Sequence, residues 1–315
     1  MEAELGQDTG GVWTPAQARA AGLTRAQVRG RVERGEWRVV RRAVLVHGGV
    51  ALDPGARAWA AVLAAGGRGR ARAAGRTAAR VYGLPLVDDT DPLLPPALRQ
   101  ISHDDVAVVR GLHGRTTLHP VRLELDAADR VLAGGVPCLS PLRTVVDLAR
   151  LLTLEALVCA LDAALREELV TRGELERELV RRVGHPYVDR LRRAVVLADG
   201  RAESPLETLV RLLLLPVLPA LVPQVRVLDG AARIVARLDL GAERLRFGVE
   251  ADSAAYHGGG AAWASDRRRE TRLAELGWSL ERVTWSEVRR DGAAPRARVL
   301  AAAARAAAIS TSTSS

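Results

Sequence analysis

Three carboxylates near the C-terminal end of the chain, Asp239, Glu250 and Asp252, fall in a pattern that could do chemistry. With a period of two, residues 233–240 place Ile234, Ala236, Leu238 and Leu240 on one face and Val235, Arg237 and Asp239 on the other. Residues 245–251 repeat the pattern, with Leu245, Phe247, Val249 and Ala251 on an apolar face and Arg246, Gly248, Glu250 and Asp252 opposite. If the two segments pair as a hairpin turning at Gly241, with both apolar sets buried together, the three acids share the remaining face. Carboxylates so placed repel one another unless a cation neutralises them, and oxygen-only ligands favour Mg²⁺ or Mn²⁺. Such an ion activates water and stabilises the pentacovalent phosphate of phosphodiester hydrolysis. Any one Asp or Glu on a sheet face is ordinarily just solvated. The surrounding order sets this segment apart: helix acid, strand acid, hairpin, strand acids, basic helix.

The elements that must position these acids can be read on either side of them. Ser204 and Pro205 start a helix with Glu207 in its first turns and an apolar face up to Leu215, where Pro216 ends it. Strands are expected at 224–228, 233–240 and 245–251, a charged helix at 262–276, a fourth strand at 279–284 and then an Ala-rich terminal helix. Trp263, Trp278 and Trp285 read as core residues, because base-stacking platforms need several exposed aromatics and only 3% of this chain is aromatic.

With its residues in this order, the segment resembles the PD-(D/E)XK nuclease superfamily, and within it the very-short-patch-repair-like endonuclease group. The matching residues are Glu203-Ser204-Pro205-Leu206-Glu207, Arg237-Leu238-Asp239-Leu240, Val249-Glu250-Ala251-Asp252, Tyr256-His257, Asp266-Arg267-Arg268-Arg269 and Leu276-Gly277-Trp278, spread over about a third of the chain. The resemblance implies a catalytic set of Glu207, Asp239, Glu250, Asp252 and His257. Asp239 and Glu250 would ligate Mg²⁺ or Mn²⁺, with Glu207 reaching the ion from its helix. Asp252 stands where the superfamily usually places a Lys, a residue this chain lacks altogether, and Ser253 replaces a commonly found Gly. His257 is the candidate general acid/base. Arg268 and Arg272, one helical turn apart, are candidates for phosphate contacts.

Two short helices and a basic hairpin open the chain. Thr14 and Thr24 read as N-caps, Gly22 and Gly35 as stops, and 37–46 as a β-branched hairpin with Arg38, Arg41 and Arg42 interleaved. This segment resembles the N-terminal winged-helix domain of abortive-infection type IV antitoxins, a domain found joined to repair-endonuclease-like domains, commonly with a middle sequence like Arg143-Thr144-Val145-Val146-Asp147-Leu148-Ala149. It implies DNA binding, with Arg25, Arg29 and Arg31 toward the major groove and Arg38, Arg41 and Arg42 toward the backbone. Between the two ends, helices are expected at 53–65 and 75–82, strands between 99 and 125 with a turn at Gly111 and Gly114, and helices again from Pro141.

Composition narrows the classes. All 46 basic residues are Arg, and a net charge of +9 points to a polyanion as partner. Cys138 and Cys159 form no C-x-x-C, so neither a disulfide framework nor a zinc site is indicated, and a reducing cytoplasm fits. Glu2, Glu4 and Asp8 lie where a signal peptide would be basic, and Arg211, Pro216 and Pro219 interrupt the most apolar stretch, so no membrane span is expected. The expected fold class is α+β and multidomain. It comprises a winged helix-turn-helix (1–50), a mixed α/β middle region (51–200), a restriction-endonuclease-like α/β domain with a central mixed sheet (201–308) and a disordered tail (309–315). The expected function is metal-dependent hydrolysis of DNA. The alternative is a non-catalytic, antitoxin-like transcriptional regulator with a degenerate nuclease domain; any toxin or operon partner is unassigned.

Overall fold

A computed structural model describes residues 5–87, 104–108, 118–122, 125–252, 260–290 and 292–312, with side chains omitted at 118–122, 260–266 and 310–312. The chain is α+β and divides into two compact units, one of residues 1–157 and 169–192, the other of 158–168 and 193–315.

The first unit opens with β1 (Val12–Trp13), α1 (Pro15–Ala20), α2 (Arg25–Glu33), β2 (Trp37–Arg41) and β3 (Val44–His47), the strands forming an antiparallel sheet in the order β1-β3-β2. Both helices start with reciprocal caps, in which the Thr14 hydroxyl accepts from the Gln17 N–H and the Thr24 hydroxyl from the Gln27 N–H, each at 3.2 Å, while the Gln side chains reach back. Trp13, Ala18, Trp37 and Leu45 pack beneath them, the two indoles edge to face with centroids 5.0 Å apart. Val12, Val44 and Val46, on the same strands, belong to a larger core with Trp59, Ala61, Val106 and Cys138. That core is built by α3 (Pro54–Ala64), β4 (Ala71–Ala73), α4 (Gly75–Val81), β5 (Asp104–Val108) and, beyond β6 (Leu118–Arg122), by β7 (Arg130–Ala133) and β8 (Val136–Leu139); the backbone of β6 joins their sheet, which runs β6-β5-β4-β8-β7. β5 and β6 pair in parallel; Gly111 and Gly114, expected to mark a turn between them, lie outside the described residues. Then follow α5 (Pro141–Leu148), α6 (Leu154–Arg166), α7 (Arg172–Arg181) and α8 (Val188–Leu197).

The second unit adds α9 (Pro205–Leu214), β9 (Val222–Leu228), β10 (Ile234–Ala242), β11 (Phe247–Asp252), α10 (Gly260–Glu275), β12 (Ser279–Thr284), α11 (Trp285–Arg290) and α12 (Ala293–Ser312). Its mixed sheet has the order β12-β11-β10-β9, with β11 and β12 parallel and the other pairs antiparallel. Leu206, Val210 and Leu214 of α9 and Val299, Ala303 and Ala306 of α12 pack on Leu240, Phe247 and Val249, while Leu273 of α10 packs with Val227, Ala236 and Leu238. Helix α12 continues through 309–312, where a disordered tail was expected, because the preceding alanines are the strongest helix formers. No helix among the described residues is long and apolar enough to cross a membrane.

Two details correct the sequence reading of the hairpin. The turn falls at Glu243–Leu245, closed by Arg246 with φ 47°, and Gly241 instead lies within β10 opposite Gly248. The apolar residues of β10 also do not share one face. A Cβ on Gly248 would point at Leu238 and Leu280, 2.6 and 2.7 Å away, yet its neighbours Phe247 and Val249 pack with Leu240 on the other side. Leu238 and Leu240, two residues apart, therefore face opposite cores, and strand alternation breaks at Asp239. Across the ladder, between the pairs Leu238↔Val225 and Leu240↔Pro223, Gln224 takes a left-handed backbone with φ 58°. A local irregularity of this kind re-aims a side chain.

Candidate active site

The break in alternation places Asp239 beside the end of β11. Its Oδ2 accepts the Ala251 N–H at 2.9 Å, just past the last β10–β11 pair, Leu240↔Val249, and the neighbouring Glu250 is close enough for its charge to act on Asp239. Burial pushes the Asp239 carboxyl up to about 6; the Ala251 hydrogen bond opposes this, and the charges of Glu207 and Glu250 add to it.

Glu207 comes from α9, where the Ser204 hydroxyl caps the helix by accepting the Glu207 N–H at 3.2 Å. The Glu207 side chain is only 7% exposed, and its Oε2 accepts the Glu203 N–H at 2.8 Å and the Gln224 side-chain amide at 2.9 Å. Glu203 in turn takes a two-pronged bond from Arg237 of β10, at 2.6 and 2.7 Å, which ties the start of α9 to the strand that carries Asp239.

Glu250 points toward α10, where Arg269 donates to its Oε1, and Arg282 of β12 lies 3.7 Å from its Oε2. Leu273, one turn after Arg269, is buried against Leu238, so Arg269 is on the sheet-facing side of the helix. Arg268 and Arg272 are exposed and line a 320 Å³ surface recess with Arg267, Thr271 and Glu275; Arg272 bonds Glu275 at 3.0 Å.

The structure thus brings together Glu207, Asp239 and Glu250 with two residues that sequence reasoning missed, Gln224 and Arg269 in this role. Asp252 ends β11, half-buried, paired in register with Thr284. Tyr256, His257 and Ser253 lie outside the described residues, as does the side chain of Trp263. The expected cage of three carboxylates is not assembled: among the described residues no group of three His, Cys, Asp or Glu is placed to hold a metal. The reason is local, since Glu207 is turned to two N–H donors and Glu250 to two guanidiniums. The donor set that remains is still one for a hard cation. Asp239 and Glu250 supply carboxylate oxygens, and the Gln224 side-chain oxygen is buried with no partner among the described residues. Mg²⁺ commonly takes only one or two carboxylates and keeps several waters.

In the first unit, Arg25, Arg29, Arg38 and Arg42 are exposed. Arg29 is 3.7 Å from Glu33, and Arg38 donates to the Val50 carbonyl at 3.0 Å. Two of the expected DNA contacts are turned inward. Arg31 is 18% exposed, lies over the Trp37 ring at 5.3 Å and sits 3.9 Å from Glu36. Arg41 is 16% exposed and pairs with the buried Asp104. The middle motif forms α5, with Arg143 bonding Asp147 at 2.9 Å and Asp129 at 3.0 Å at the edge of a 490 Å³ cleft that also includes Arg150, Arg182 and His185.

These features define a two-unit α+β protein whose second unit carries a pair of apposed carboxylates on a mixed sheet. No protein-family model matches the chain. It is 32% identical over 162 residues, 51% of its length, to two proteins of Mycobacterium tuberculosis, one from strain CDC 1551 / Oshkosh and one from strain ATCC 25618 / H37Rv, each described as an uncharacterized protein. The aligned stretch spans 59% of the length of each of these relatives.

Proposed function

We propose that the second unit is a metal-dependent DNA phosphodiesterase of the restriction-endonuclease-like fold, and that residues 1–50 form a winged helix-turn-helix that holds the duplex. The apposition of Asp239 and Glu250 on neighbouring strands, fixed by the Ala251 N–H, carries this reading. The exposed Arg25, Arg29, Arg38 and Arg42 and the net charge of +9 support the DNA-holding half.

Asp239, Glu250 and the Gln224 side-chain oxygen would hold the divalent ion, which when bound supplies Lewis-acid charge and makes water a nucleophile near neutral pH. Glu207 orients Gln224 through its amide, and the Arg237–Glu203 fork keeps α9 in place against β10. In the ion-free site burial holds the Asp239 carboxyl at about 6, so a proton competes with the divalent ion for this ligand as pH falls. Purified protein with Mg²⁺ or Mn²⁺ is expected to nick supercoiled plasmid DNA. Asp239→Ala should abolish nicking without lowering DNA affinity.

A second reading, a DNA-binding regulator with a degenerate nuclease domain, is favoured by one observation: both oxygens of Glu250 face guanidiniums. It predicts salt-sensitive DNA binding, with wild type and Asp239→Ala equally inert toward plasmid under either metal.

A further inference from the structure

We propose that Arg269 is a catalytic residue of this site, the cation that contacts the non-bridging oxygens of the scissile phosphate; the proposal rests on the phosphodiesterase reading above. Hydrolysis of a phosphodiester concentrates negative charge on those oxygens, and fixed guanidiniums or ammoniums are the usual protein groups that meet it. With no Lys in the chain, Arg is the side chain that can bring a permanent positive charge to those oxygens.

Geometry selects Arg269 from its neighbours. Arg268 is exposed, Arg272 is tied to Glu275 with Asp229 3.9 Å away, and Arg282 is shared between Glu270 and Glu250. Arg269 extends from the sheet-facing side of α10 to Glu250 through one terminal nitrogen, and its positive charge acts on Asp239 as well. Its Nε–H is buried and finds no acceptor among the described residues, although the side chain as a whole keeps 31% of its surface open. The acid pair is therefore flanked by an orphaned acceptor, the Gln224 side-chain oxygen, and an orphaned donor, the Arg269 Nε–H. Buried polar groups left unpaired in a native structure call for a partner. A site with one spare acceptor and one spare donor suits a cation and an anion together, and a phosphodiester with its counter-ion is such a pair.

In the step itself the water oxygen bonds to phosphorus and the bond from phosphorus to the leaving sugar oxygen breaks. The attacking water gives its proton to solvent, and the leaving oxygen takes one from solvent. Arg269 stays protonated throughout. It contributes fixed charge and a hydrogen bond to the phosphoryl oxygens, and its bond to Glu250 orients it for this.

The test compares wild type, Arg269→Ala and Arg269→Lys in plasmid nicking with Mg²⁺, alongside the affinity of each for a short duplex in EDTA. Arg269→Ala should lower kcat by about 10²- to 10³-fold with KM and duplex affinity changed less than about threefold. Arg269→Lys should recover at least about tenfold of that loss, and guanidinium chloride at low millimolar concentration should partly restore Arg269→Ala. A purely structural counter-ion to Glu250 would also be replaced by Lys, but its loss in Arg269→Ala would lower the unfolding midpoint along with kcat, whereas the catalytic role lowers kcat with the unfolding midpoint near that of the wild type. If Arg269→Ala does not fold, Arg269→Gln, which keeps a donor for Glu250 but no charge, replaces it. Wild-type kcat in the charge-less variant, or equal loss in the Lys and charge-less variants, overturns the role of Arg269 and leaves the phosphodiesterase standing. Inert wild-type protein removes both.

Discussion

The Asp239 carboxylate accepts the Ala251 N–H at 2.9 Å, and this bond fixes the acid of β10 beside Glu250 of β11. It satisfies one Asp239 oxygen, but burial, with the charges of Glu207 and Glu250 adding to it, outweighs that bond and the nearby Arg269 charge, so the site holds an acid that folding makes harder to ionise.

That has a measurable cost. The Asp239 carboxyl ordinarily titrates at 3.8 and in the folded chain at about 6, so the folded state binds its proton more tightly than the unfolded state. Its contribution to stability is complete below the lower value and is lost as pH rises through the upper one. Urea unfolding of the wild type should therefore show a decline across that window in the absence of divalent ions. Asp239→Asn, which keeps an acceptor for Ala251, should flatten it. Parallel profiles for the two proteins would contradict the assignment.

Arg41 and Arg42 are neighbours in sequence with opposite expected effects. Arg41→Ala leaves Asp104, 2% exposed, with the Arg80 guanidinium, 3.9 Å away, as its remaining cation among the described residues, and should cost about 1–3 kcal/mol of stability in denaturant titrations. Arg42→Ala touches an exposed side chain; it should leave stability within about 0.5 kcal/mol and reduce the salt dependence of DNA affinity by about one phosphate contact. If Arg42→Ala leaves that salt dependence unchanged, the hairpin does not meet the backbone.

Asp162 of α6 clasps α9. It accepts from the Thr208 hydroxyl at 2.7 Å and from Arg211 at 2.8 Å, while the Asp199 N–H bonds its other oxygen at 2.6 Å. Asp162→Ala strands the Arg211 charge in the interior and should destabilise the second unit by about 3–5 kcal/mol, lowering the unfolding midpoint of that unit. A loss under about 1 kcal/mol would mean that water replaces the carboxylate.

Gly241→Ala should cost about 1–3 kcal/mol, because the added Cβ would lie 2.7 Å from the Val225 Cβ, an atom held by its own strand. Thermal unfolding measures it directly.

The sequence made the strands and helices around the acids legible because alternation in 233–251 is regular enough to mark β10 and β11, and Ser204-Pro205 marks the start of α9. It did not reveal the break in alternation at Asp239, which accompanies the left-handed backbone of Gln224 on a different strand. Nor could local pattern assign Arg41, whose partner lies more than sixty residues away. The trace that was available is the pair Asp104-Asp105 at the head of a buried strand, since carboxylates there need donors brought by other elements. Arg31 is the opposite case. Its stacking on Trp37 joins the end of a helix to the strand just after it, and the proximity of the two residues in sequence was the signal.

Mn²⁺ binding to the apo protein, followed by calorimetry and by the loss of the free-ion EPR signal, tests the acid pair of β10 and β11 without any need for DNA. One ion per chain is expected in the wild type and none in either Asp239→Ala or Glu250→Gln, with folding retained. Mn²⁺ bound equally by wild type and both variants, or by none of them, would contradict that expectation.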